Sequence, residues 1–129
     1  MSQHTGLDAT AVAARYLAVW NDPDADARRA AVTTLWVPDG TEFVHEVQYR
    51  GHAELEARVT RAHEAFVATG KYTVAGAGDV TRHGDIVTFT AQLVTPAGEV
   101  DWASRVFLLL DADGRVKEDY QLTVQPLPA

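Results

Sequence analysis

Apolar residues recur every three or four positions from residue 8 onward: Val12, Tyr16, Leu17 and Trp20, with alanines between them. That spacing lines one face of a helix. Asp8 or Thr10 can cap its start. Asn21-Asp22-Pro23-Asp24 ends it, because the residue before a proline avoids helical angles. A second helix is predicted over 24–35, carrying Ala27, Ala31, Val32 and Leu35 inward, and Trp36-Val37-Pro38-Asp39-Gly40 reads as a turn. Residues 41–49 are β-prone through Phe43, Val44, Val47 and Tyr49, and Gly51 breaks them. A third helix is predicted over 52–69, apolar at Leu55, Val59, Ala62 and Phe66, with Gly70 as its stop.

Beyond Gly70 the period changes to two. Residues 72–80, 86–95, 99–110 and 115–125 read as four strands. Arg82-His83-Gly84-Asp85, Pro96-Ala97-Gly98 and Asp111-Ala112-Asp113-Gly114 join them. Each joint is short and has a glycine where a positive φ is wanted, so the strands should pair as antiparallel hairpins. Helices first and a meander second predict an α+β fold. Three helices packed on one strongly curved, mostly antiparallel sheet would leave a pocket between the two layers. No repeat or linker interrupts the pattern, and 129 residues suit a single domain.

Composition narrows the chemistry. At 47% hydrophobic residues the chain can build a core, and a chain of this length buries roughly two-thirds of its unfolded surface. It has no cysteine, which excludes disulfides and thiolate chemistry and removes the main basis for a zinc or iron–sulfur site. Its net charge of −7, from 18 acids and 11 scattered bases, argues against nucleic acid or an anionic membrane as partner. Residues 1–6 lack a basic region followed by an apolar run, and no apolar stretch nears the roughly 20 residues that span a bilayer. A soluble, cytoplasmic protein is expected.

Four segments carry a resemblance. They are Arg15-Tyr16-Leu17-Ala18-Val19-Trp20-Asn21, Trp36-Val37-Pro38-Asp39-Gly40-Thr41, Tyr49-Arg50-Gly51-His52, and the stretch from Val106 through Asp113-Gly114 to Asp119-Tyr120-Gln121. Together the chain resembles the nuclear-transport-factor-2-like superfamily, and within it the SnoaL-like branch. The resemblance implies a cone-shaped α+β barrel enclosing a pocket, and frequent pairing into homodimers through the convex sheet face. Phe107 and Leu109, on the face opposite Val106 and Leu108, could serve such pairing. It does not imply one activity, since the superfamily includes ketosteroid isomerases, a dehydratase, an epoxide hydrolase, polyketide cyclases and proteins that only bind.

Carried over residue by residue, Tyr16 matches the oxyanion-donor tyrosine of the ketosteroid isomerases. Their general-base aspartate falls near Val44 and their protonated aspartate near Val106, so that mechanism is not expected. The aspartate and arginine of the epoxide hydrolase fall on Thr90 and Thr88, and its second aspartate on Gln121, or on Asp119 after a shift of two. The cyclases' last-strand aspartate also falls on Gln121, two residues after Asp119. Asp119 is therefore the candidate for a displaced acid–base group.

Strand alternation puts Asp119, Gln121 and Thr123 on one face and Tyr120, Leu122 and Val124 on the other. On pattern alone the apolar set is the core face; the resemblance instead turns the polar set toward the cavity. A buried Asp119 would have a raised pKa, suited to a general acid or base. His45, in Phe43-Val44-His45-Glu46, could shuttle protons where the first strand enters the cavity, or simply be a hydrogen-bonded surface residue. His4 lies in a tail, His83 in a turn and His52 at a helix start, while His63 sits on or beside the buried stripe of the third helix. No two histidines have a ligand spacing, so no metal is expected, and no cofactor either.

Tyr16 and Trp20 share a helix face and read as core or as pocket wall. Trp102 and Ser104 alternate with Asp101 and Arg105. The first pair facing inward gives an apolar pocket with one hydroxyl; the second gives a charged pocket or a solvated surface pair. No glycine-rich phosphate loop or nucleophile elbow is present.

Two functions follow. One is a cofactor-free cyclase, isomerase or lyase acting on an apolar, carbonyl-bearing small molecule. There Asp119 or His45 moves the proton, Tyr16 and Gln121 hold the oxygen, and Trp20, Phe43, His63, Phe66, Trp102 and Ser104 complete the substrate site. The other is a non-catalytic ligand-binding or dimerisation module of the same fold.

Overall fold

The computed structural model describes residues 8–128. Helix α1 (Ala9–Asn21) begins where Asp8 accepts hydrogen bonds from the backbone of Thr10 and Ala11. Asp24 caps α2 (Ala25–Leu35) in the same way. Helix α3 (Gly51–Ala62) passes directly into a π-helical turn, His63–Val67, closed by the bond from Ala68 N to the His63 carbonyl. The single helix expected over 52–69 is thus two conformations. The wider turn rotates Phe66 and Val67 relative to the α-helical stripe, and such insertions recur at functional sites.

Among the described residues seven strands form one sheet: β1 (Trp36–Val44), β2 (Val47–Arg50), β3 (Thr73–Gly76), β4 (Thr81–His83), β5 (Ile86–Val94), β6 (Val100–Leu110) and β7 (Val116–Gln125). Their order is β2-β1-β7-β6-β5-β3, with β4 also on β5. All pairings are antiparallel except β1 with β7, which is parallel. The expected hairpins joining β4 to β7 form. Bulges between Trp36 and Thr41, Leu93 and Val94, Ala103 and Ser104, and Leu109 and Leu110 bend the ladder. The sheet curves around the helices without closing into a barrel.

Three local expectations change. Residues Trp36 to Gly40 are the first half of β1, not a turn. Trp36 pairs with Val116, and Pro38 lies in the bulge, where a missing N–H costs no ladder bond. The β-prone stretch 41–49 is divided by a tight turn at His45 and Glu46, with His45 at φ 55°. The strand expected over 72–80 is only β3, ending at Gly76, and Arg82 and His83 of the expected joint belong to β4. Gly51, at φ 86°, lets the chain leave β2 and enter α3 without a linker.

The core lies between the helices and the concave face, with Val12, Tyr16, Leu55, Trp36, Val106 and Leu108 almost fully buried. On β7 the polar set turns inward: Asp119 and Gln121 are buried, while Leu122 and Val124 are 56% and 63% exposed. Periodicity alone favours the opposite assignment. Among the described residues no helix is long and apolar enough to cross a membrane.

Candidate functional site

The site begins with one register. Glu42 on β1 and Asp119 on β7 are paired across the parallel ladder, and both are 0% exposed. Asp119 Oδ2 accepts a hydrogen bond from Trp36 Nε1 at 2.8 Å. As a carboxylate, its buried Oδ1 has no partner among the described residues. Burial, and next the charge and hydrogen bonding of Glu42, push the Asp119 carboxyl well above its ordinary value, against the smaller effects of Trp36 and Arg58. A protonated Asp119 resolves the accounting, because its hydroxyl can donate to Glu42.

Glu42 collects the remaining donors. Arg58 Nε, from α3, donates to Oε1 at 2.9 Å. Tyr16 OH, from α1, donates to Oε2 at 3.2 Å, and Gln121 Nε2 donates to the same oxygen at 3.0 Å. Gln121 Nε2 also donates to the Tyr16 oxygen at 2.6 Å. Burial, then the charges of Asp119 and Glu42, raise the Tyr16 phenol well above its ordinary value, so it stays protonated at neutral pH. Burial works against the charge of Arg58, but Glu42 outweighs it and raises the guanidinium's pKa. The guanidinium lies over the rings of Trp20 and Tyr49, 5.2 and 5.4 Å from their centroids.

An apolar cavity of about 140 Å³ adjoins this cluster. Trp20, Ala62, Phe66 and Val67 line its helical side, and Val74, Ala91, Leu93 and Trp102 its sheet side. Tyr16, Gln121 and Arg58 are its polar wall, and Leu127, 40% exposed, stands at its rim. Glu42 and Asp119 do not line it; Glu42 sits one hydrogen-bonded step behind its wall, and Asp119 lies behind Glu42. Among the described residues no three His, Cys, Asp or Glu side chains group as metal ligands.

Of the residues singled out from sequence, Tyr16, Gln121 and Asp119 meet in this cluster, and Trp20, Phe66 and Trp102 are on the cavity wall. Ser104 shares the inward face of β6 with Trp102, fully buried, its hydroxyl unpartnered among the described residues. His63 is buried but does not line the cavity; its Nδ1 bonds the Trp20 carbonyl at 2.9 Å.

Two assignments are corrected. His45 is exposed in the β1–β2 turn, within 3.4 Å of Thr123 Oγ1, so it does not enter the cavity. Phe43 points to the outer face, where it stacks on Tyr120 at 4.8 Å, because alternation gives the inner face to Glu42. Asp101 and Arg105 do not pair with each other: Tyr72 OH donates to Asp101, and Arg105 bonds Asp79. His83 ends β4 and His52 bonds the Trp36 carbonyl, while His4 lies outside the described residues.

Glu42 and Arg58 were missed. Glu42 stands two residues before Val44 on the same strand face. A glutamate between a threonine and a phenylalanine in a β-prone run was the available signal. Arg58 sits among Glu54, Glu56 and Arg61 and reads as part of a solvated helix face.

No protein-family model matches the chain, and no curated protein matches its sequence. Solved structures do. A proposed isomerase of the SnoaL-like family from Agrobacterium tumefaciens matches at a TM-score of 0.79 and 25% identity, over 95% of this chain and 98% of that one. A proposed SnoaL-like polyketide cyclase from a Jannaschia species matches at 0.62 and 21% identity, over 89% and 86%. A protein of ketosteroid isomerase-like fold from Catenulispora acidiphila, solved in complex with trimethylamine, matches at 0.65 and 19% identity, over 85% and 82%. The chain has the nuclear-transport-factor-2-like α+β cone fold, and SnoaL-like proteins are among those it is similar to.

Proposed function

We propose that the chain is a cofactor-free proton-transfer enzyme, an isomerase, cyclase or lyase acting on a small apolar substrate that bears a carbonyl group. The observation that carries this reading is the relay from Tyr16 through Glu42 to Asp119. Its outer member lines an apolar cavity, and its inner members are shut off from water.

The substrate's carbonyl oxygen would sit against Arg58, with an α C–H bond facing the Tyr16 oxygen. As the C–H bond breaks, its proton goes to the Tyr16 oxygen while the Tyr16 proton passes to Glu42 Oε2. The electron pair moves into an enolate whose oxygen lies beside the guanidinium. A phenol held protonated suits this role, since it passes a proton on without becoming a phenolate. Return of the proton to another carbon gives an isomer; attack of the enolate carbon on a second carbonyl gives a ring. The neutral Asp119 leaves Glu42 the pair's only charge before the transfer, which makes Glu42 the group that takes the proton.

Solvent exchange tests this step. Phenylacetone and phenylpyruvate incubated with the protein in D₂O should lose their α-proton NMR signals faster than in buffer. Glu42→Gln and Tyr16→Phe should each lower the rate about 10²-fold or more, with circular dichroism unchanged. No acceleration by the natural chain would replace this reading with the non-catalytic one, which the absence of either carboxyl from the cavity wall favours.

We also infer that the protein pairs with a second copy of itself through the outer face of β7. Tyr120, Leu122 and Val124 are exposed there, and Tyr120 pairs with the half-buried Phe43 and Phe107 on either side, so apolar side chains adjoin across three strands.

A further inference from the structure

Arg58 is the one charged side chain on the cavity wall among the described residues. Its Nε is committed to Glu42, and its Nη1 and Nη2 make no hydrogen bond to any described residue. The side chain is held on three sides, by Glu42 below and by the Trp20 and Tyr49 rings against its plane. It is 20% exposed. A guanidinium fixed this way presents preorganised donors in a fork that matches a carboxylate or enolate. The negative partner that balances its charge lies behind the wall, so a ligand in the cavity meets the cation first.

Size sets the second limit. A cavity of about 140 Å³ is close to the roughly 150 Å³ that holds a benzene molecule in an apolar protein interior. A space of that size favours a single ring over a fused multi-ring skeleton. Leu93 and Trp102 from the sheet face Phe66 and Val67 from the π-helical turn across this space, which suits one flat ring.

We propose that the ligand is a one-ring organic anion, its carboxylate or enolate oxygens on the terminal nitrogens of Arg58 and its ring between Trp102, Leu93 and Phe66. This inference rests on the reading of the cavity as the substrate site and specifies what enters it.

Benzoate and its neutral isostere benzamide test it by NMR titration of the indole N–H signals. The protein has three tryptophans. Trp20 and Trp102 line the cavity, and Trp36, bonded to Asp119, serves as the reference away from the wall. Benzoate should shift Trp20 and Trp102 with an affinity about tenfold or more above that of benzamide. Arg58→Lys should weaken that preference, because an ammonium bonded to Glu42 has no planar fork to offer the ligand. The paired variant R58Q/E42Q, which leaves no buried charge uncompensated, should do the same and guards against misfolding. Benzamide binding as tightly as benzoate, at the same indoles, would overturn the anion while leaving the cavity reading intact. Anthracene-9-carboxylate binding more tightly than benzoate would overturn the size limit. No shift of either cavity indole with any probe would overturn both this inference and the cavity reading beneath it.

Discussion

At the scale of single residues, the energetics of the site turn on where one proton sits. Two carboxyl groups side by side and out of water cannot both be charged without a large cost, and Arg58 balances only one. Asp119 is the neutral member. Its folded pKa is above the unfolded value of about 3.9, so between those two values the folded state holds a proton that the unfolded state has lost. Stability therefore falls as pH rises through that window, by up to about 1.4 kcal/mol per pH unit, and levels off above the folded pKa. Asparagine copies the protonated acid, accepting from Trp36 and donating to Glu42. Asp119→Asn should lack this slope, so its melting temperature relative to the natural chain should rise from pH 5 to pH 8. A gap that stays constant over that range, measured by thermal denaturation, would show Asp119 charged in the folded protein, since neither state then exchanges a proton there. Tyr16, Asp119 and Gln121 were legible in the sequence because a family resemblance pointed at them. Glu42 and Arg58 were not. A buried ion pair drawn from a strand and a helix 16 residues apart leaves no periodic mark, and charged residues are by default read as solvated.

At the scale of elements, β1 makes the site possible. Its parallel pairing with β7 brings Glu42 opposite Asp119, and the bulge before Thr41 lets Trp36 reach Asp119 from the same strand. Local pattern could not reveal this, since Trp36-Val37-Pro38-Asp39-Gly40 has the composition of a turn and only the long-range partner makes it a strand. The hairpins from β4 to β7 were legible because their signals are local: alternation, and glycine at the turns. The bulge can be tested at Gly40, where an added Cβ would come within 3.0 Å of the Trp36 side chain and the Val37 carbonyl. Gly40→Ala should cost about 1–3 kcal/mol in urea denaturation, because backbone and a buried indole must both move. A change under about 0.5 kcal/mol would mean that Trp36 is free to shift.

At the scale of the whole molecule, the curved sheet separates two jobs. Its concave face with the helices makes the cavity, and its convex face carries the apolar residues of β7. The α+β order and the pocket were legible from helices followed by hairpins. The face assignment of β7 was legible only through the resemblance and not from pattern, because burial inverts the usual polarity: the polar side chains turn in and the apolar ones face out. That inversion is explained if a second copy covers Leu122 and Val124. Leu122→Asp should then convert a dimer into a folded monomer in light scattering coupled to size-exclusion chromatography. A natural chain that is monomeric at about 100 μM, well above ordinary dimer affinities, would refute the pairing.

The central claim is a buried acid–carboxylate pair serving a cavity-lining tyrosine, and carboxyl ¹³C NMR titration tests it most directly, with Asp119→Asn and Glu42→Gln as assignment controls. The account predicts that Asp119 remains protonated at neutral pH, far above the ordinary 3.9. Two carboxyls that both lose their protons near ordinary values would contradict it, and with it the relay.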